Sequence, residues 1–148
     1  MVKVNKNSDT VDKFIKQWKN ERPELSTAAM ATIGRLKRCM SLVRPKLDKV
    51  FSEFSITSWE FDVLATLRRS GSPYCLAPTA LYSSLMITSG TMTHRMNRLE
   101  SRALVERITN PEDARSKLLQ LSTAGLELIN RAVEAHVENE ESILSSLS

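Results

Sequence analysis

The stretch Thr88–Ser122 constrains the fold more than any other part of the chain. It opens Thr88-Ser89-Gly90-Thr91-Met92-Thr93-His94-Arg95-Met96-Asn97-Arg98-Leu99. Met92, Met96 and Leu99 fall on one face at helical spacing, and hydroxyl, amide and basic side chains take the others. Thr88 or Ser89 can cap this helix, which is expected to run to about Arg102. Residues 104–109 and 117–121 then read as paired strands, with Leu104, Ile108, Leu119 and Leu121 as inward anchors. Asn110-Pro111-Glu112-Asp113 supplies turn chemistry between them. A short helix with a polar, basic face, followed at once by a hairpin with a charged tip, suits a small domain that presents both on its surface.

The rest of the chain frames that stretch with helices. Val11, Phe14, Ile15 and Trp18 share one face of a short helix over residues 9–20, capped by Asp9 or Thr10 and broken before Pro23. Ser26 opens a long helix whose apolar stripe runs through Ile33, Leu36, Met40, Val43, Leu47, Val50 and Phe54. Pro45 inside it is expected to bend or split it. Thr57 or Ser58 caps a helix from Trp59 to Arg69, with Glu60 as a favourable charge in its first turn. Gly71-Ser72-Pro73 is a loop, and Tyr74-Cys75-Leu76 has the length of a very short strand. Pro78 starts a helix of about two turns. Thr123 is expected to cap a final helix with its stripe at Leu126, Ile129, Val133, Val137, Ile143, Leu144 and Leu147.

Two short helices joined by a tight turn, the second polar and basic, form a helix-turn-helix pattern, and the hairpin beside them is a wing. The expected fold is mainly α with a small β-hairpin wing (α+β): a winged helix-turn-helix. Residues 1–148 are expected to form one domain, with an extra N-terminal helix at 9–20. Residues 26–55 and 123–147 would supply dimerisation helices, and residues 57–122 the winged helix-turn-helix.

Charge distribution agrees with a polyanionic partner. The net charge is +4, but residues 1–50 carry twelve Lys/Arg against five Asp/Glu, and residues 118–148 carry one against five. No apolar run approaches the roughly 18 residues of a membrane span, and no secretory pattern opens the chain, so a cytoplasmic protein is expected. Cys39 and Cys75 make neither a disulfide framework nor a metal spacing. No cofactor and no metal are expected. Catalysis is disfavoured: His94 and His136 lie on separate helices with no evident nucleophile, and there is no phosphate-binding glycine pattern.

Base readout requires side chains of the kinds found on the 88–102 helix. Arg bonds guanine bidentately, Asn bonds adenine, and Ser or Thr hydroxyls suit bases or phosphates. The candidate DNA contacts are therefore Ser89, Thr91, Thr93, His94, Asn97 and Arg98 on the helix, with Arg115 and Lys117 at the hairpin. An arginine at a wing tip suits a narrow minor groove. Asp113, two residues before Arg115, can pair with it and hold its direction.

Asp113-Ala114-Arg115-Ser116, followed by Leu119-Gln120-Leu121-Ser122, resembles the Asp-x-Arg wing signature of MarR-family transcription regulators, with Ser122 where that family usually has Thr. The likeness extends over nearly the whole chain. Gln17-Trp18-Lys19-Asn20-Glu21-Arg22-Pro23, Leu47-Asp48-Lys49-Val50-Phe51 and Glu60-Phe61-Asp62-Val63-Leu64 are similar to the PecS or urate-responsive branch. That resemblance implies a ligand set of Trp18, Asp62, Arg95 and Arg107, with urate or a related aromatic anion as effector. Two arginines suit a planar anion, an aspartate accepts from its N–H edge, and an indole donates or stacks. It also implies a homodimer on a pseudo-palindromic duplex, with recognition helices about 34 Å apart. The family pattern continues into a further C-terminal helix beyond Ser148.

The expected function is a ligand-responsive DNA-binding regulator, acting chiefly as a repressor. Two alternatives remain open at the level of sequence: the same regulator answering to a phenolic ligand or to oxidation of Cys39 or Cys75, and a helical protein-interaction module that binds no DNA.

Overall fold

The structure, a computed structural model, describes residues 8–85 and 89–145, the side chains of 89–92 excepted. It divides at Pro45 into two compact units, Met1–Pro45 and Lys46–Ser148.

The first unit pairs α1 (Thr10–Glu21) with the N-terminal part of α2 (Ala28–Glu53). Asp9 caps α1 in a reciprocal box: its carboxylate accepts from Asp12 N, and the Asp12 carboxylate accepts from Asp9 N, both at 2.9 Å. Arg35 on α2 reaches across, donating through Nε to Asp9 at 3.0 Å and through Nη2 to Asp12 at 2.6 Å. Val11 is buried where Gly34 lets the helices approach; a Cβ at Gly34 would stand 3.3 Å from a Val11 methyl. The α2 helix begins at Ala28, two residues after the Ser26 start expected of it, and it continues unbroken through Pro45. A proline costs one helical hydrogen bond and crowds the preceding turn, and here the helix absorbs that without ending.

The second unit holds the last turns of α2, then α3 (Ser58–Arg69), β1 (Cys75–Leu76), α4 (Pro78–Leu85), α5 (Ser89–Ser101), β2 (Val105–Thr109), β3 (Lys117–Leu121) and α6 (Thr123–Leu144). Its core is apolar side chains from all the helices and the two longer strands, Phe51, Leu64, Leu67, Leu81, Leu99, Leu119 and Ile129 among them. Phe51 and Phe61 stack at 4.5 Å, and the His136 ring packs on both, with Nε2 3.2 Å from Glu140. The β-hairpin is part of a three-stranded antiparallel sheet in the order β1-β3-β2. Val105 faces Leu121 and Thr109 faces Lys117 across the hairpin, while Cys75 pairs with Gln120 on the other edge. Val105, absent from the expected anchors, is 2% exposed and more deeply buried than Ile108.

The final helix is capped by Ser122, not by Thr123. The Ser122 hydroxyl accepts from Gly125 N at 2.9 Å and donates to Ala103 O at 2.7 Å, so one side chain both starts α6 and fastens it to the turn before β2.

Candidate nucleic-acid interface and ligand residues

Hydrophobic spacing decides how α5 sits. Met96 and Leu99 are buried, which turns His94, Asn97 and Arg98 to solvent. Thr93 is exposed too. The expected contacts Ser89 and Thr91 lie outside the described side chains, as does the inward Met92.

Three arginines, Arg95, Arg98 and Arg102, recur at steps of three and four and so share one flank of the helix. That flank faces the start of α3. The Arg95 and Arg98 guanidinium groups lie 5.3 and 5.6 Å from the centroid of the Trp59 ring, within cation–π range. Arg102 donates through Nη1 to Glu60 at 2.7 Å and through Nη2 to Ser55 O at 2.8 Å. Arg98 Nε lies 3.5 Å from the same Glu60 oxygen.

Glu60 is thus more than a favourable first-turn charge. Its side chain is 1% exposed, while its other oxygen accepts from Thr57 N at 2.7 Å and from the Thr57 hydroxyl at 3.0 Å. Burial pushes its carboxyl up; the Thr57 backbone N–H, Arg102 and the Thr57 hydroxyl outweigh that and hold it below the ordinary 4.5. Of the two expected caps it is Thr57 that closes a capping box with Glu60; that the glutamate also holds an arginine 42 positions away has no local sequence signal.

The opposite flank of α5 meets the wing. Arg107 on β2 donates to Asn97 Oδ1 and lies 3.3 Å from the Glu100 carboxylate. This bond occupies the carbonyl oxygen of Asn97 and leaves its NH2 for outward contact. The wing tip is ordered by its own polar groups: Asn110 Oδ1 accepts from Glu112 N at 3.0 Å, and Ser116 N donates to Asp113 O at 2.9 Å. Asp113 accepts from Arg115 N at 3.0 Å and lies 3.8 Å from its guanidinium, while the Arg115 side chain is 98% exposed. Lys117 donates to Thr109 Oγ1 at 2.8 Å across the hairpin. Arg115 therefore projects fully into solvent, and Lys117 is tethered to the ribbon.

Of the four implied ligand residues, Trp18 belongs to the first unit and Asp62, Arg95 and Arg107 to the second. Trp18 is 42% exposed and lines a mainly apolar cavity of about 470 Å³ between α1 and α2, with Phe14 and Met30, and Lys37 and Arg38 among its lining residues. Asp62 is exposed on α3. Arg95 is engaged by Trp59, and Arg107 by Asn97 and Glu100. Cys39 is exposed and Cys75 half-buried. Among the described residues there is no cluster of metal-ligating side chains, and no helix is long and apolar enough to cross a membrane.

The arrangement of packed helices, an outward α5 face and an ordered wing has counterparts among known proteins. A model of the MarR family matches residues 56–117. The HTH-type transcriptional regulator PecS of Dickeya dadantii (strain 3937) is 46% identical over 138 residues, covering 93% of this chain and 83% of that protein. Among solved structures, a mutant MarR from E. coli complexed with operator DNA matches with a TM-score of 0.70 at 26% identity, over 82% of this chain and 86% of that one. AbsC, a MarR family transcriptional regulator from Streptomyces coelicolor, matches with a TM-score of 0.76 at 20% identity, over 84% and 83%, which speaks for the shared fold alone. The wing signature, the fold and the near full-length likeness to PecS agree: the chain belongs to the MarR family, on the branch that holds PecS.

Proposed function

We propose that the chain is a transcriptional regulator that binds duplex DNA through α5 and the wing, a role supported by its likeness to the transcriptional regulator PecS. The observation that carries the reading is the joint presentation of an exposed α5 face and a solvent-projecting Arg115, with Arg107 tying helix to ribbon. His94, Asn97 and Arg98 suit base edges or phosphates in a major groove, and Arg115 suits the minor groove beside it. The mutant MarR with which the chain shares its fold was solved with operator DNA. The test is selection from a random duplex pool followed by fluorescence anisotropy over a salt series. Enrichment of a pseudo-palindromic site supports the reading, and failure to retain any duplex at moderate salt overturns it in favour of a protein-interaction module.

A homodimer is the second element of the proposal. Phe14, Ile33, Leu36 and Leu42 in the first unit, and Val137 and Leu144 on α6, are each between 46% and 63% exposed. Apolar side chains left in water on three helices call for a partner surface. A molar mass of one chain by light scattering at micromolar concentration would refute it.

The third element is relief of DNA binding by urate or a similar aromatic anion, with repression as the consequence of promoter occupancy. The likeness to PecS and the presence of Trp18, Asp62, Arg95 and Arg107 support it. Adding urate to the protein–duplex complex should release the duplex. An unchanged anisotropy removes urate as effector and leaves DNA reading standing.

A further inference from the structure

The arginine flank of α5 carries an inference that rests on the DNA reading above. Glu60 is the most deeply buried charged side chain of the described residues, and it is shared: Arg102 takes Oε1 at 2.7 Å while Arg98 Nε waits at 3.5 Å from the same atom. Arg102 is additionally pinned to Ser55 O and is 31% exposed, whereas Arg98 is 52% exposed and rests on the Trp59 ring. One arginine is therefore built in, and the other is held at longer range on the edge of the exposed face.

We propose that Glu60 is a positioning residue of the DNA-reading helix, fixing α5 through Arg102 and holding Arg98 in reserve for exchange onto a DNA phosphate. Two features favour exchange of Arg98 over Arg102. Leaving costs Glu60 little, because Arg102 and Thr57 still satisfy both carboxylate oxygens. Leaving costs Arg98 little, because its flat guanidinium can slide from the Trp59 face to a phosphate without crossing a buried region. The Glu60 charge also lowers the positive potential of this flank while no DNA is present, so a weakly placed duplex gains less from it than a well-placed one. Glu60 thereby favours discrimination over indiscriminate affinity.

The experiment compares wild type, Glu60→Gln and Arg98→Gln on two probes: a duplex selected from a random pool by the wild-type protein, and a scrambled duplex of equal length. Glu60→Gln keeps the side-chain shape but removes the charge. The expected result is a fall of about tenfold in the ratio of selected to scrambled affinity, with scrambled affinity equal or higher. A role in fold stability alone would lower both affinities together and leave the ratio unchanged, which overturns the proposal. Arg98→Gln leaves the Glu60–Arg102 pair intact and decides the exchange even if Glu60→Gln does not fold. Its salt slope on the selected duplex should be smaller by about one, and an unchanged slope overturns the exchange. If the wild type selects no duplex, the DNA reading fails first and the proposal falls with it.

Discussion

Gly125 offers a sharp test of the packing that seats the last helix. It is the third residue of α6, and a Cβ built there would stand 1.9 Å from the Leu104 carbonyl oxygen and 2.9 Å from the Leu104 carbonyl carbon. Ordinary carbon–oxygen contact is about 3.3 Å, so the overlap is more than 1 Å and falls on backbone, which has no rotamer to escape into. Relief requires the first turn of α6 to move off the turn before β2. That movement strains two bonds that join them, Ser122 N to Leu104 O at 3.2 Å and Ser122 Oγ to Ala103 O at 2.7 Å. Overpacking of this kind costs about 1–3 kcal/mol, and each strained hydrogen bond about 1 kcal/mol. The better helix propensity of alanine returns about 1 kcal/mol. Gly125→Ala should therefore destabilise the protein by roughly 2–4 kcal/mol, which for a chain of this size lowers Tm by about 5–15 °C. Gly34→Ala is the internal control: its Cβ would meet a Val11 methyl at 3.3 Å, and a side chain can give by a few tenths of an ångström. A cost below about 1 kcal/mol is expected there. Both are read by circular-dichroism melting at one fixed protein concentration, since association shifts Tm. A Tm for Gly125→Ala equal to or above wild type would show that propensity dominates and that the close approach to Leu104 is not rigid.

Three further outcomes follow from the site. Glu60 has a folded-state pKa held below the ordinary 4.5, so its share of stability is present above that value and is lost as pH falls through the folded value. Glu60→Gln should be less stable than wild type near neutrality, with the gap closing in acid; urea titrations from about pH 7 down to about pH 3 that show a constant gap would contradict this. Arg115→Ala, at a side chain 98% exposed, should leave Tm unchanged and reduce the salt slope of DNA binding by about one, so an unchanged slope would place the wing tip away from DNA. Asp62→Asn should bind the selected duplex as wild type does but release it less readily on adding urate, and an intact urate response would leave Asp62 without a part in sensing.

The fold was largely legible because its signals are local. Caps, proline placement and apolar spacing set α1, α3, α4, α5 and the hairpin to within a residue or two of where they stand. The failures are where two local rules competed or where the partner was distant. Ser122 and Thr123 both suit an N-cap by type, and the choice fell to Ser122 because its hydroxyl also reaches Ala103 O, a tertiary contact no window on the sequence contains. Pro45 read as a bend or a split because its local cost is plain, and of the two the split does not occur: α2 runs on to Glu53. Val105 was passed over for Leu104 and Ile108 because strand alternation assumes a strand that starts cleanly, and here Ala103, at φ +54°, and the turn around it precede β2 and put both Leu104 and Val105 inward.

The candidate site shows why counting basic residues on a reading helix overstates what is offered to DNA. The stretch 88–117 carries six Lys/Arg against four Asp/Glu, of which Arg98, Arg115 and Lys117 are the expected DNA contacts. In the folded unit Arg95 rests on Trp59, Arg98 and Arg102 turn to Glu60, Arg107 binds Asn97 and Glu100, and Lys117 is tethered to Thr109. Each of these partners lies eight or more positions away except Glu100, seven residues before Arg107, so no periodicity within α5 reveals them. Arg115 alone of the six stands clear, 98% exposed with its Asp113 partner at 3.8 Å. Arg95, Arg98 and Arg102 brace the helix against α3, and the proposed DNA reading asks the same flank to meet a duplex. A helix braced on both flanks presents His94 and Asn97 in one orientation, and a fixed orientation is what would let hydrogen bonds at base edges discriminate one sequence from another.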